Sequence, residues 1–288
     1  MYKIVEKKIL APSIFMMKIL APRVAKSAHP GQFIIIRMDE KGERVPLTIC
    51  DTDVENGTVT IVVQTIGCTT KAMENYEEGD SFFDFVGPLG MPSELIEEDK
   101  ETLKNEKIMF ISGGVGAAPV YPQVKWLHEN GIKADVIMGY KNKEMVILED
   151  EMKAVADSVY VTTDDGSYGF KGMVTAQLKD LVENQGKKYD VVIAIGPMIM
   201  MKFVCKLTEE LGIKTIVSMN PIMVDGTGMC GACRITVDGE TKFACVDGPE
   251  FDGHKVNFDE ALKRAGMYKT EEAKKDSMKP GCKIGGNN

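Results

Sequence analysis

The 288-residue chain lacks a basic surplus: 35 lysines and arginines stand against 43 aspartates and glutamates, a formal charge of −8. Nucleic-acid binders normally carry the opposite balance, so the charge argues against that class. Long apolar runs are missing as well. The longest, such as Ile108–Ile111 and Val191–Ile195, fall far short of the ~20 residues needed to cross a bilayer, so no membrane span is expected. The opening Met1-Tyr2-Lys3-Ile4-Val5-Glu6 has neither the apolar stretch nor the cleavage site of a secretory signal. A cytoplasmic location is therefore expected, where thiols stay reduced. The seven cysteines are then not a disulfide framework, and their spacing matters more than their odd count. Cys50, Cys68, Cys205 and Cys282 are scattered, whereas Cys230, Cys233 and Cys245 fall within sixteen residues.

At roughly 100–200 residues per domain, the length accommodates two domains with proper cores. Residues 1–98 read as short strands separated by Gly, Pro, Asp and Asn: Tyr2–Leu10, Ile14–Leu20, Gln32–Met38, Val45–Cys50, Thr58–Gln64 and Ser81–Val86. Such spacing predicts a small antiparallel barrel or sandwich. Residues 99–220 change period. Lys107–Ser112, Ala134–Tyr140, Ser158–Thr163, Asp190–Ile195 and Lys214–Met219 are continuous apolar runs, as in strands covered on both faces. Helix-like stretches lie between them (Val120–Asn130, Glu149–Ala156, Met173–Glu183, Met198–Leu211), which predicts a doubly wound parallel α/β domain. Residues 221–288 form an appendage in which 222–253 are rich in Gly, Asp and Cys, with a hairpin over Arg234–Phe243 turning at Asp238-Gly239, and helices are expected over Asn257–Leu262 and Glu271–Lys279.

Asp225, Cys230, Cys233 and Cys245 follow D-x4-C-x2-C-x11-C. Plant-type [2Fe–2S] centres use C-x4-C-x2-C…C, because a tight loop must aim several thiolates at one small cluster. Gly226, Gly228 and Gly231 interleave with these ligands and let the backbone reach positive φ. Aspartate at the first position is a harder ligand than thiolate, so potential and acid stability should differ from an all-cysteine site. Two other readings of these residues stay open: a zinc site using the three cysteines with His254 or Asp225, and three buried thiols without a ligand.

Gly113-Gly114-Val115-Gly116-Ala117-Ala118-Pro119 joins the first apolar strand to a helix. Glycines there permit a tight turn whose N–H groups meet a diphosphate, although Pro119 stands where a dinucleotide fingerprint has Gly or Ala. Thr163-Asp164-Asp165-Gly166 and Gly196-Pro197-Met198 follow two further strands, at the sheet edge where such folds place ligands. The second strand ends in Tyr140-Lys141 without an acidic residue, and NAD versus NADP stays open. In the barrel, Arg44 suits a diphosphate, and Gly67-Cys68-Thr69-Thr70 offers hydroxyls and helix N-terminal amides.

Arg44-x-Pro46-Leu47-Thr48, Gly67-x-Thr69-Thr70, Gly87-Pro88-Leu89-Gly90, the 113–119 loop and Gly196-Pro197-x-x-Met200 occur in an order that resembles the ferredoxin–NADP reductase superfamily. With the cysteine cluster, the chain is similar to the electron-transfer subunits of dihydroorotate dehydrogenase B. Met219-Asn220-Pro221 and Asp225 make it more similar still to the small-subunit family of NADH-dependent reduced ferredoxin:NADP oxidoreductase and sulfide dehydrogenase β. The resemblance implies an antiparallel Greek-key barrel for FAD, the α/β domain for NAD(P) and a [2Fe–2S] appendage. It implies that Arg44, Pro46, Leu47, Thr48, Val63, Gln64, Gly67, Thr69 and Thr70 hold FAD. Gly113, Gly114, Gly116, Asp164, Gly166, Gly196 and Pro197 would flank NAD(H), with NADP(H) not excluded, and Asp225, Cys230, Cys233 and Cys245 would ligate the cluster. The superfamily's aromatic after the flavin-site arginine is replaced by Pro46-Leu47.

The implied activity is electron transfer between NAD(H), FAD and [2Fe–2S], in a heterodimer with a larger flavin and [4Fe–4S] subunit that bifurcates electrons and meets ferredoxin. Such chemistry needs no side-chain acid or base, so no catalytic residue is expected. A dihydroorotate dehydrogenase B electron-transfer subunit is the alternative within the fold. A zinc-stabilised nucleotide-binding redox sensor is the alternative of another class.

Overall fold

The computed structural model describes residues 1–271; Cys282 and most of the helix expected over 271–279 lie outside them. In the N-terminal unit, Asp51–Asp53, Thr58–Gln64, Ile14–Leu20, Tyr2–Ala11 and Ser81–Phe82 form a five-stranded antiparallel sheet. Val45–Thr48, Phe33–Arg37 and Asp84–Leu89 form a second, three-stranded one. Side chains two apart share a face of a strand. Phe15, Met17 and Ile19, then Ile34 and Ile36, then Val59, Ile61 and Val63 thus meet in one core between the sheets. The intervening Ile14, Val62, Phe33 and Ile35 turn outward and pack into the cores of the following unit.

The second unit is a seven-stranded sheet. Its order is Phe170–Lys171, Ser158–Thr163, Ala134–Tyr140, Ile108–Gly113, Val191–Ile195, Lys214–Ser218 and Glu250–Asp252, parallel except for the last. Both faces are covered, which explains the continuous apolar runs. Met109, Ile111, Val192 and Ala194 enter one core, and Ile108, Phe110, Ile193 and Ile195 the other. Helices Ala117–Glu129, Glu149–Val155, Val174–Lys179 and Met198–Leu211 supply the covering layers. Gly131 and Gly212, just past two of them, have φ of +72° and +68°, the left-handed cap that ends a helix. The chain starts at the central strand Ile108–Gly113, winds outward one way, then returns to its other side at Val191–Ile195. Strand order therefore reverses between these two, and a crevice opens beyond their carboxyl ends.

The C-terminal segment contains the hairpin Arg234–Val237 and Glu240–Phe243, whose turn has Asp238 at φ +53° and Gly239 at +76°. Both central residues are left-handed, as this tight two-residue turn requires. The segment's described residues form no core of their own. Cys233, Ile235, Val237, Cys245 and Phe251 pack with Met109, Ile111 and Val217 of the sheet, and helix Phe258–Ala265 adds Phe258 and Ala261. No helix among the described residues is long and apolar enough to cross a membrane.

Candidate functional site

All three units border one cleft of about 1060 Å³. Of the residues expected to hold flavin, Pro46, Leu47, Thr48, Gln64, Gly67, Thr69 and Thr70 line it. Arg44 is exposed just before the lining strand, and Val63 points the other way, into the sheet core. Alternation explains this, because Val62 and Gln64 on either side of Val63 do face the cleft. Helix Cys68–Met73 begins there. The Thr70 hydroxyl accepts the N–H groups of Ile66 (2.9 Å) and Gly67 (3.1 Å), fixing the turn, while no other atom lies within 4 Å of where a Gly67 side chain would start. Glu43 also lines the cleft, and its carboxylate accepts the Thr69 hydroxyl. No motif pointed to Glu43.

On the nucleotide side, Gly113, Gly114, Gly116, Asp164, Gly196 and Pro197 line the cleft; Gly166 does not. The glycines do different jobs. Gly114 has φ +56° and open space beside its Cα, leaving the backbone of the turn bare toward the cleft. At Gly116 a side-chain carbon would sit 2.2 Å from the Ile195 carbonyl oxygen, so glycine there permits the loop to pass the neighbouring strand. A side-chain carbon on Gly196 would likewise sit 2.8 Å from Met200 Cε and 3.0 Å from the Gly113 nitrogen. The Asp164 N–H donates to the Tyr140 carbonyl at 3.0 Å, holding this loop against the second strand, and Lys141 lines the cleft beside it. One end is lined by Met219 and Asn220 and, from the C-terminal segment, by Pro221, Met223 and Pro249.

The cysteine loop lies next to that end. Cys233 and Cys245 are buried with their sulfurs 3.2 Å apart, and Cys230 is exposed. Burial, and then Cys233 itself, push the Cys245 thiol up to about 12. Asp225 folds back on the loop, accepting the N–H groups of Thr227 and Cys230, each at 3.0 Å. The Thr227 bond, then those from Cys230, hold its carboxyl below the usual aspartate range. Gly226, Gly228 and Gly231 all have positive φ, between +66° and +82°. A side chain on Gly226 would strike Leu89 and Ile35 at 2.7 and 2.8 Å, so the bare loop lies directly on the N-terminal unit. Among the described residues no three ligand-type side chains converge on one point. His254, the candidate fourth zinc ligand, instead faces the Thr208 hydroxyl at 3.1 Å. Two thiols and a carboxylate on one glycine-rich loop, with a third thiol just past the hairpin and in contact with one of them, form a donor set suited to an iron–sulfur cluster.

Residues 220–257 match the family model of the iron–sulfur cluster binding domain of dihydroorotate dehydrogenase B, and residues 110–206 that of the oxidoreductase NAD-binding domain. A Thermotoga maritima homologue of the dihydroorotate dehydrogenase B (NAD(+)) electron transfer subunit is 47% identical over 270 residues, 94% of this chain and 92% of its own. The chain belongs to this electron-transfer-subunit family. It is an oxidoreductase subunit with a NAD-binding domain and an iron–sulfur domain. A Clostridium beijerinckii protein, named only by its position 3′ of adh, is 67% identical over 274 residues, 95% of this chain and 93% of its own. A solved structure of NADH-dependent reduced ferredoxin–NADP oxidoreductase, reported for its insight into flavin-based electron bifurcation, superposes with a TM-score of 0.88 at 45% identity. That match covers 97% of this chain and 98% of the other. The ferredoxin-reductase-like resemblance read from the motifs holds, and the zinc reading gives way to the iron–sulfur one.

Proposed function

We propose that this chain is the small electron-transfer subunit of an electron-bifurcating NADH-dependent reduced ferredoxin:NADP oxidoreductase. The observation that carries this reading is the single cleft bordered by the N-terminal sheets, the nucleotide loops and the cluster-bearing segment. On this reading residues 1–98 form the FAD domain, with their two sheets as halves of a Greek-key barrel. Residues 99–220 form the NAD(P) domain and 221–288 the [2Fe–2S] segment. Bound FAD would supply the link between two-electron hydride chemistry and one-electron transfer to a [2Fe–2S] cluster.

The chain's own residues bind and orient. Thr48, Gln64, Gly67, Thr69 and Thr70 would hold the flavin, with Arg44, exposed just before the lining strand, available to its diphosphate and Val63 contributing only backbone. Gly113, Gly114 and Gly116 would present amides to the nicotinamide nucleotide, with Gly196 and Pro197 opposite and Asp164 and Gly166 on the outer loop. Asp225, Cys230, Cys233 and Cys245 would hold the cluster, which needs a reducing compartment such as the cytoplasm. Val224, Met229 and Val246 leave an exposed apolar rim around Cys230, with Met229 88% exposed. This rim supports docking of a larger flavin and [4Fe–4S] subunit, through which ferredoxin would be reached.

The test is flavin, iron and sulfide content of the anaerobically purified complex, together with the identity of its partner. A colourless protein, or one without flavin, sinks the proposal. The family name favours a second reading, the electron-transfer subunit of dihydroorotate dehydrogenase B. Co-purification with a barrel-fold subunit that oxidises dihydroorotate would decide for it.

A further inference from the structure

Away from the cleft lining, three uncharged or neutralisable side chains from three parts of the chain meet in the interior. Ser93 follows the N-terminal sheets, Gln123 lies in helix Ala117–Glu129, and Glu250 opens the strand that the C-terminal segment adds to the parallel sheet. They are 1%, 2% and 7% exposed. The Ser93 hydroxyl lies 2.9 Å from Glu250 Oε2 and 3.1 Å from Gln123 Oε1, and Gln123 Nε2 lies 2.7 Å from Glu250 Oε1. These contacts close a three-membered ring, and a ring of three hydrogen bonds needs three hydrogens. Ser93 has one and the Gln123 amide turns one inward. The third must come from Glu250. Turning the Gln123 amide over does not remove the requirement, because its oxygen would then face Glu250 Oε1, and two acceptors need a proton between them.

We infer that Glu250 is held as a neutral carboxylic acid, and that it is a positioning residue latching the cluster-bearing segment to both nucleotide-side units. The surroundings agree. Burial raises its pKa and outweighs the lowering by the hydrogen bonds from Ser93, Gln123 and the Glu94 N–H, while the Glu94 charge on the adjoining short helix acts in the same direction as burial. Ser93 and Gln123 are uncharged, and no cation is among the main influences on the carboxyl. Gly31, at φ +91°, admits the approach of Ser93, since a side chain there would sit 2.7 Å from the Ser93 nitrogen. The latch flanks two backbone ties, Met91 N–H to the Gly248 carbonyl (2.7 Å) and Met219 N–H to the Pro249 carbonyl (2.8 Å). Pro249 and Met219 line the cleft, so the ring sets where the segment meets it.

A raised acid favours the folded state fully below the ordinary glutamate range, and this contribution is lost as pH climbs through the raised value. Between the two, the folded-to-unfolded ratio should fall up to tenfold per pH unit. The discriminating variant is Glu250→Gln, whose amide supplies the missing hydrogen at every pH. Relative to this variant, the wild-type full chain should lose stability as pH rises, with amide exchange quickening at Met91 and Met219 beyond that of other buried amides. Infrared spectra at neutral pH should show a protonated-carboxyl stretch in the wild type that Glu250→Gln removes, while Glu250→Ala weakens the fold at all pH values. A Glu250→Gln protein that fails to fold, is as unstable as Glu250→Ala, tracks the wild-type pH profile, or leaves the infrared band in place would overturn the inference. These readouts need neither partner nor turnover, so their failure is distinct from failure of the functional reading.

Discussion

Gly114 and Gly116 stand two residues apart in one loop, yet alanine at each should do opposite things. Gly116 has ordinary helical backbone angles, so only space matters there. Its new carbon would lie 2.2 Å from the Ile195 oxygen and 3.0 Å from the Ile195 carbon. Relief requires a shift of about 1 Å, taking van der Waals contact as about 3.2–3.5 Å. The strand Val191–Ile195 is hydrogen-bonded on both sides, to Ile108–Gly113 and Lys214–Ser218, and cannot yield alone. Overpacking of this kind costs about 1–3 kcal/mol, and the rigid backbone target places Gly116→Ala at the upper end, about 3 kcal/mol. That is roughly a hundredfold in the folded-to-unfolded ratio. At Gly114 the space is open but φ is +56°, so alanine costs about 1 kcal/mol of backbone strain and little else in stability. Its methyl, however, stands in front of the amides proposed to meet the diphosphate, and NADH affinity should drop at least about tenfold, roughly 1.4 kcal/mol. Urea unfolding midpoints and NADH titrations of both variants measure the two effects separately. A Gly116→Ala protein as stable as the parent, or a Gly114→Ala protein with parental NADH affinity, would refute the reasoning.

Asp164→Asn should raise NADPH use relative to NADH, because on the proposed reading it removes a negative charge from the cleft wall that a 2′-phosphate would meet, and Lys141→Ala should do the reverse; paired kinetic constants with both nucleotides check this. In metal-free protein near pH 8, iodoacetamide should label exposed Cys230 well before Cys205. The Cys205 thiol, raised by burial from 9.0 to about 12, should carry on the order of a thousandfold less thiolate than an ordinary cysteine, as peptide mass spectrometry over time can show. The Asp225 carboxyl is held low by loop N–H groups, so its contribution to loop order is present above the ordinary aspartate range and persists until pH falls through the lowered value. Exchange protection of the Thr227 and Cys230 amides that vanishes already at the ordinary aspartate pKa would contradict this. Gly239→Val should destabilise the hairpin by about 1 kcal/mol, since a branched residue resists its φ of +76°, with thermal unfolding as the measure.

Residue patterns made much of this architecture legible because the signals are local. Continuous runs such as Ile108–Gly113 announce a strand buried on both faces, and Asp238-Gly239 announces a tight turn. The cleft's glycine loops were legible for the same reason. What escaped is what depends on distant contacts. Glu250–Asp252 is a three-residue strand with acids at both ends, and it exists because the exposed edge of Lys214–Ser218 accepts it. Glu43 carries no motif and reaches the cleft only through the path of the loop before Val45–Thr48. Ser93 and Glu250 lie 157 positions apart, beyond any pattern in the chain. The motif resemblance groups Val63 with its flavin-side neighbours, whereas strand alternation sends it to the core.

The cluster-bearing segment shares its apolar interior with the nucleotide sheet, through Cys233, Ile235 and Phe251 against Met109 and Val217. Melting of one therefore exposes the other, and the two should unfold in a single cooperative transition. By linkage, whatever binds the folded segment also stabilises the sheet, by RT ln(1 + [L]/Kd). The segment behaves as a keystone rather than a pendant: grafted elsewhere it would have nothing to fold against, and excised it would leave the sheet an open edge.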